Sequence, residues 1–239
     1  MNDQQGQCFL ALDASTATGS VGISRNGGVL AEASINVGAG HSSALLPAID
    51  HLLRAAAVDR SDLTAVVVGS GPGSFTGVRI AAATAKGIAA GLGIPLLAYS
   101  SLLATAAGAP SAGGEVVVGF DARGRDVYAA SYSMSDSVFV ALSPAAMSLD
   151  DLLAKLVGRT ISAVTGDAVL RHGPEIERVL GVRVSPAHLH TPRAAALLWL
   201  AESWPELGRT PGAAEWQPDY LRASGAERIA AARLAGAQG

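Results

Sequence analysis

Residues 66–92 read VVVGSGPGSFTGVRIAAATAKGIAAGL: an apolar run feeds a glycine-rich loop, and the loop feeds a helix. This is the layout of a phosphate cradle, where backbone N–H groups at a helix N-terminus hold an anion. The spacing argues against one. A Walker A loop needs Gly, four residues, then Gly-Lys and Ser or Thr, and here no lysine follows Gly71 at that distance. A dinucleotide loop needs Gly-x-Gly-x-x-Gly. Gly69 and Gly71 fit, but Ser74 stands at the third position. A nucleophile elbow needs Gly-x-Ser-x-Gly, and neither Ser70 nor Ser74 has those flanking glycines. Gly71, Pro72 and Gly73 read instead as a sharp strand-to-helix turn, with Ser74 or Thr76 capping the helix.

The remaining chemically able residues are scattered. Of five histidines only His188 and His190 are neighbours, two apart between Pro186 and Pro192 with no carboxylate near. They read as solvent-facing loop residues rather than metal ligands. His41 precedes a helix start and reads as a cap neighbour. No metal site is expected. Cys8 is the single cysteine, so no intrachain disulfide forms, which suits a reducing cytoplasm. The opening MNDQQGQ lacks the basic and apolar regions of a signal peptide, and no run reaches the ~20 apolar residues that cross a bilayer. A cytoplasmic protein without a membrane is expected. The formal net charge is −3 and only two lysines occur, Lys86 and Lys155. A tight direct grip on nucleic acid is not expected, because phosphate neutralisation needs clustered cations.

The 239 residues, 49% of them hydrophobic, suffice for one large domain or two modest ones. Strands are expected at 9–15, 20–24 and 29–35, with Arg25-Asn26-Gly27-Gly28 as a hairpin turn. A helix follows at 43–57, where Leu45, Leu46, Ile49, Leu52, Leu53 and Ala56 recur at helical spacing and Pro47 lies near the first turn. Strand 65–69, the glycine loop, helix 76–91 and strand 94–98 complete a β-β-β-α-β-α-β half. The second half repeats it: strands 115–121, 126–133 and 137–143, helix 149–157, strand 161–166, helix 174–180 and strand 182–185. A further helix at 192–204 carries Pro192 near its start. Asp13 and Asp121 end equivalent strands. One element order used twice predicts two stacked α/β lobes, 1–108 and 109–239, joined by GAPSAGG at 108–114 and facing each other across a cleft. The architecture resembles the ribonuclease-H-like lobes of the actin-like ATPase superfamily. The tail from Gly208 is Pro- and Gly-rich, then helical near 224–235.

Within helix 76–91, Ala83, Gly87 and Gly91 lie four apart on one face. Each interior glycine costs roughly 1 kcal/mol relative to alanine. Such a helix gains close approach to something, either the preceding helix or another protein.

The stretch GSGPGSFTGVRIAAATAKGIAAGLGIPL resembles the signature of the TsaB (YeaZ) family. FLALDASTATGSVGI, HSSALLPAIDHLL, GFDARGRDVYAASYS and PDYLR at 218–222 match that family in order and spacing, while 143–215 matches more loosely. The signature positions carried over are Gly71, Pro72, Gly73, Ser74, Phe75, Thr76, Gly77 and Arg79. The resemblance implies a bacterial, cytosolic, non-catalytic subunit for threonylcarbamoyladenosine modification of tRNA beside the anticodon. It implies docking on the catalytic paralogue TsaD, together with the ATPase TsaE, and tRNA contact only indirectly. The family's pairing surface is built from the helices matching 43–57 and 76–91. It would comprise Leu45, Ile49, Leu52, Val78, Ala83, Gly87 and Gly91, with a homodimer through the same face when the partner is absent. No cofactor is implied, save a nucleotide at the partner interface. Two metal-binding histidines of the catalytic paralogue would fall on Ser101 and Thr105, which offer no imidazole.

In actin-like ATPases an aspartate ending the first strand faces metal and phosphates. Asp13, Ser15 and Thr16 hold that place, with Asp121 opposite, as a vestigial nucleotide and Mg²⁺ cleft. The other reading has Asp13 bonding backbone amides of its own turn. Two rivals remain: an active small ATPase or kinase of this fold, and a hydrolase using Ser or Thr of the glycine loop.

Overall fold

The structure is a computed structural model that describes residues 6–36, 41–110 and 113–222. The helix expected at 224–235 and the middle of the 108–114 link lie outside the described residues.

The first sheet comprises β1 (Cys8–Asp13), β2 (Thr18–Arg25), β3 (Gly28–Asn36), β4 (Ala65–Gly69) and β5 (Leu96–Tyr99), in the order β3-β2-β1-β4-β5. β1 pairs antiparallel with β2, Leu10 opposite Ile23, and parallel with β4, Leu10 opposite Val66. The turn between β2 and β3 places Asn26 and Gly27 at φ 51° and 82°. These are the positive angles an Asn-Gly hairpin turn needs. Helices α1 (His41–Ala55) and α2 (Phe75–Leu92) cover one face. Pro47 sits in the second turn of α1 rather than the first.

The second sheet comprises β6 (Glu115–Asp121), β7 (Asp126–Met134), β8 (Val138–Ser148) and β9 (Ile161–Thr165), in the order β8-β7-β6-β9. It repeats the first sheet's order without its fifth strand. The strand expected at 182–185 is one bridge, Val184 to Val164. α4 spans Leu149–Leu156, α5 Val169–Leu180 and α6 Ala194–Ser203. α5 begins five residues before Pro174, which lies within it. Pro192 precedes the N-cap of α6, Arg193.

Side-chain alternation along the strands sorts the interior into layers. Leu10 and Leu12 of β1 point to the α1–α2 layer, while Phe9 and Ala11 point to a middle layer shared by both sheets. Val116, Val118 and Phe120 of β6 reach that middle layer from the other side, and Val117 joins an outer core with α4 and α5. Between the sheets lie α6 and a helix that the spacing did not indicate, α3 (Ser101–Ala107). The two are exchanged. α3, from the first half of the chain, packs on β6 and β7, while α6, from the second half, packs on β1, β2 and β3. Leu102, Leu197, Leu198 and Leu200 are almost wholly buried there. Each is worth about 1.5–3 kcal/mol of buried apolar surface, against ~0–1 kcal/mol for an exposed ion pair. The apolar layer is the main tie between the sheets.

Candidate functional site

The signature loop is held backbone to backbone. From Gly69 the chain passes a cis Gly71–Pro72 bond and enters α2 at the N-cap Ser74, whose hydroxyl accepts the Gly77 N–H at 3.3 Å. Ser74, not Thr76, is therefore the cap. The Ser74 N–H donates to the Ser15 carbonyl at 2.6 Å. A Cβ at Gly73 would overlap that carbonyl, and one at Gly77 would overlap the carbonyl of Ala14. These glycines let the loop lie on the turn after β1. The loop's signature thus encodes packing, and its Arg79 guanidinium stacks 3.7 Å above the Phe75 ring.

Asp13 lies beneath the loop, fully buried. Its Oδ1 accepts the Ser15 N–H and hydroxyl, each at 2.7 Å, and its Oδ2 accepts the Ser101 hydroxyl at 2.5 Å. Ser101 Oγ in turn accepts the Gly71 N–H at 3.1 Å. Of the four residues expected at the cleft, Ser15, Thr16 and Asp121 line it. Asp13 does not, because its carboxylate is spent on the turn and on α3 rather than turned outward.

That cleft, about 390 Å³, opens between the lobes against the start of α2. Asp121 is partly exposed there, its Oδ1 accepting the Arg123 N–H at 2.7 Å and its Oδ2 lying 3.7 Å from Arg171. Asp167, which the spacing does not single out, joins it and accepts the Asp121 N–H at 2.8 Å. Burial pushes the Asp167 carboxyl up to about 6, with the nearby Asp121 charge adding to the shift against backbone hydrogen bonds. A carboxyl raised in the folded state favours folding while protonated, and that advantage is lost as pH rises from about 4 through 6. Asp167→Asn keeps the acceptor for the Asp121 N–H and removes the buried charge. Thermal unfolding should show it about 1–2 kcal/mol more stable than wild type at pH 7.5 and little changed at pH 4. Equal gains at both pH values would rule out the charge as the cause.

Of the two loop histidines, His188 is exposed as expected, but His190 is buried, its Nε2 2.6 Å from the Ser185 carbonyl oxygen. Among the described residues, no three His, Cys, Asp or Glu side chains converge as a metal site.

A second depression lies on the α1–α2 surface. Leu45, Ile49, Leu52 and Val78, expected to face a partner, are buried. The first three belong to the core beneath the helices, because that is the apolar face the sheet claims. Ala83, Gly87 and Gly91 are exposed as expected. The outward apolar residue of α1 is Leu46, 55% exposed, and at the end of α2 it is Leu92. The helical spacing groups Leu45 with Leu46, and the resemblance sets Leu45 toward a partner; on the sheet Leu45 turns in and Leu46 turns out. Leu46, Gly87, Gly91 and Leu92 edge an apolar groove of about 470 Å³ with Ile49 and Leu53 in its floor. An ion pair between Asp50 and Arg60, at 2.6 Å, stands at its rim.

Residues 14–180 match the family model described as TsaD: tRNA N6-adenosine threonylcarbamoyltransferase. The tRNA threonylcarbamoyladenosine biosynthesis protein TsaB of Bacillus subtilis (strain 168) is 34% identical over 227 residues, 92% of this chain and 96% of that protein. The chain belongs to the TsaB family. The solved structure of YeaZ from Pseudomonas aeruginosa, 28% identical, superposes with a TM-score of 0.74 over 90% of this chain and all of that one. The ethanolamine utilization protein EutJ of Carboxydothermus hydrogenoformans, at 14% identity, has a TM-score of 0.54 over 83% of this chain and 91% of its own. That likeness concerns the fold alone: two ribonuclease-H-like lobes of the actin-like ATPase type.

In this TsaB-family chain, Ser101 and Thr105 lie inside α3. Both are buried, and Thr105 donates to the Ser101 carbonyl at 2.8 Å. At the positions where the resemblance puts a paralogue's histidines, Ser101 seats α3 under the loop through its bonds to Gly71 and Asp13, and Thr105 bonds within the helix. No described helix is long and apolar enough to cross a membrane.

Proposed function

We propose that this chain is a non-catalytic subunit of the tRNA threonylcarbamoyladenosine machinery, docking on the catalytic paralogue TsaD and holding it active, together with the ATPase TsaE. The observation that carries the reading is the α1–α2 groove. It is apolar and exposed, and Cβ atoms placed on Gly87 or Gly91 would meet nothing. An interior glycine such as Gly87 is costly in a helix, and no internal neighbour accounts for it here, which favours an external one. The matching helix pair of the paralogue is the partner we assign to it. The same face then supports a homodimer when the paralogue is absent.

The lobe at 1–108 carries the docking helices and the lobe at 109–239 completes the scaffold. Ser101 and Thr105 in place of imidazoles support a role without catalysis by this chain. The net charge of −3 supports indirect rather than direct contact with tRNA, and a nucleotide belongs at the partner interface rather than to this chain alone. The free, buried Cys8 is consistent with a reducing cytoplasm.

The test is to mix the purified chain with the same organism's TsaD and measure mass by light scattering after size exclusion, then assay threonylcarbamoyladenosine formation with TsaE, ATP, tRNA and a supplied activated threonylcarbamoyl donor. A heterodimer, and activity that needs this chain, are expected. Separate elution with full activity from TsaD and TsaE alone would refute the proposal.

A further inference from the structure

The segment after α6 runs over both lobes. Arg209 bridges to Leu97 at the edge of β5, and the Thr210 hydroxyl donates to the Leu96 carbonyl at 2.8 Å. Lys86 of α2 donates to the carbonyls of Ala214 and Trp216, both at 2.9 Å, and the Trp216 ring enters the α1–α2 core. The chain then reaches the signature loop. The Asp219 N–H donates to the Ser70 carbonyl at 2.9 Å, and the Ser70 hydroxyl donates to Asp219 Oδ2 at 2.6 Å. Tyr220 lies 5.5 Å from Phe75, ring to ring, and its hydroxyl accepts from Arg79 Nε at 3.1 Å. Two residues on, Arg222 belongs to the other lobe. It donates to Asp126 Oδ2 at 2.8 Å and to the Ala122 carbonyl at 3.4 Å, on the turn between β6 and β7.

Residues 219–222 therefore line the cleft while gripping both of its walls. The exchanged helices α3 and α6 join the sheets on the inner side: both are hydrogen-bonded to the first lobe, by Ser101 to Asp13 and by the Ala194 and Ala195 N–H groups to Ser20 and Glu32, while α3 meets β6 and β7 through the apolar middle layer. The polar ties that span the mouth among the described residues run through this segment. We propose that residues 219–222 are an internal clasp that sets the opening of the inter-lobe cleft by tying the loop before α2 to the β6–β7 turn. A clasp makes its two ends depend on each other: release at one end loosens the other lobe's anchor as well.

Hydrogen exchange of the full chain, read by mass spectrometry, tests this. Arg222→Ala removes contacts made only in the second lobe, to Asp126 and Ala122. Exchange should nevertheless quicken at least threefold in peptides covering 70–80 as well as in those covering 120–128. Asp219→Ala removes the Ser70 hydroxyl bond in the first lobe and should quicken 120–128 likewise. If each variant's change stays within its own lobe, the segment is a surface tether and the clasp is wrong. Should either variant fail to fold, Asp126→Asn, at a partly exposed side chain, is read at the same peptides with the same two outcomes.

Discussion

Gly87→Leu should abolish docking on the paralogue while leaving the isolated chain folded. A Cβ at Gly87 meets nothing within 4 Å, and the residue lines the groove of about 470 Å³, so the added side chain has that open space to occupy. Leucine is also a better helix former than glycine by up to about 1 kcal/mol. The melting temperature of the chain alone should hold or rise. Pairing should weaken at least a hundredfold, about 3 kcal/mol, because the groove would be filled from below. Light scattering on the mixture, with calorimetric titration for the affinity, checks both halves. Wild-type affinity in a folded Gly87→Leu variant would move the docking site elsewhere. Loss of fold would contradict the open space at this position.

The same replacement, glycine to alanine, should have opposite signs at two places in α2. At Gly87 it should stabilise the chain by up to about 1 kcal/mol, the ordinary helix-propensity gain. At Gly77 it should destabilise by about 3 kcal/mol or more. There the added methyl would overlap the Ala14 carbonyl oxygen, a backbone atom held by the end of β1 that cannot rotate away. The loop would have to lift from its seat, breaking the Ser74 N–H bond to Ser15 and exposing the bonds that Asp13 makes beneath. Urea unfolding of both variants measures the difference. If Gly77→Ala were as stable as wild type, the close seating of loop on turn would not be what holds the start of α2.

The local devices were legible in the chain itself. Asn26-Gly27 announced its hairpin, because few dipeptides tolerate two positive φ angles. The buried runs at 65–69 and 115–121 stand where their apolar stretches place them. Ser74 was one of two named caps, and the loop's failure to match any phosphate motif agrees with glycines that serve backbone contact. The repeated strand order, and with it the two-lobe fold, followed from the repeated element order. These are short-range properties: each depends on a few neighbouring residues and their φ, ψ and side-chain periodicity.

What periodicity could not convey lies between elements distant in sequence. α3 is buried on all sides, so it carries no amphipathic stripe to announce it. Its exchange with α6 depends on which sheet face was left uncovered. The choice between Leu45 and Leu46 was made by the rotation of α1 on that sheet. Asp13 turned inward because Ser101, from an element 88 residues away, supplied a hydroxyl. His190 was drawn under by the Ser185 carbonyl. The path of residues 209–222 was set by isolated polar partners, Lys86, Ser70 and Asp126, on three separate elements. The sequence determined the local conformations and their order. Only the tertiary structure decided which faces are covered, since covering a face is a contact between residues far apart in the chain.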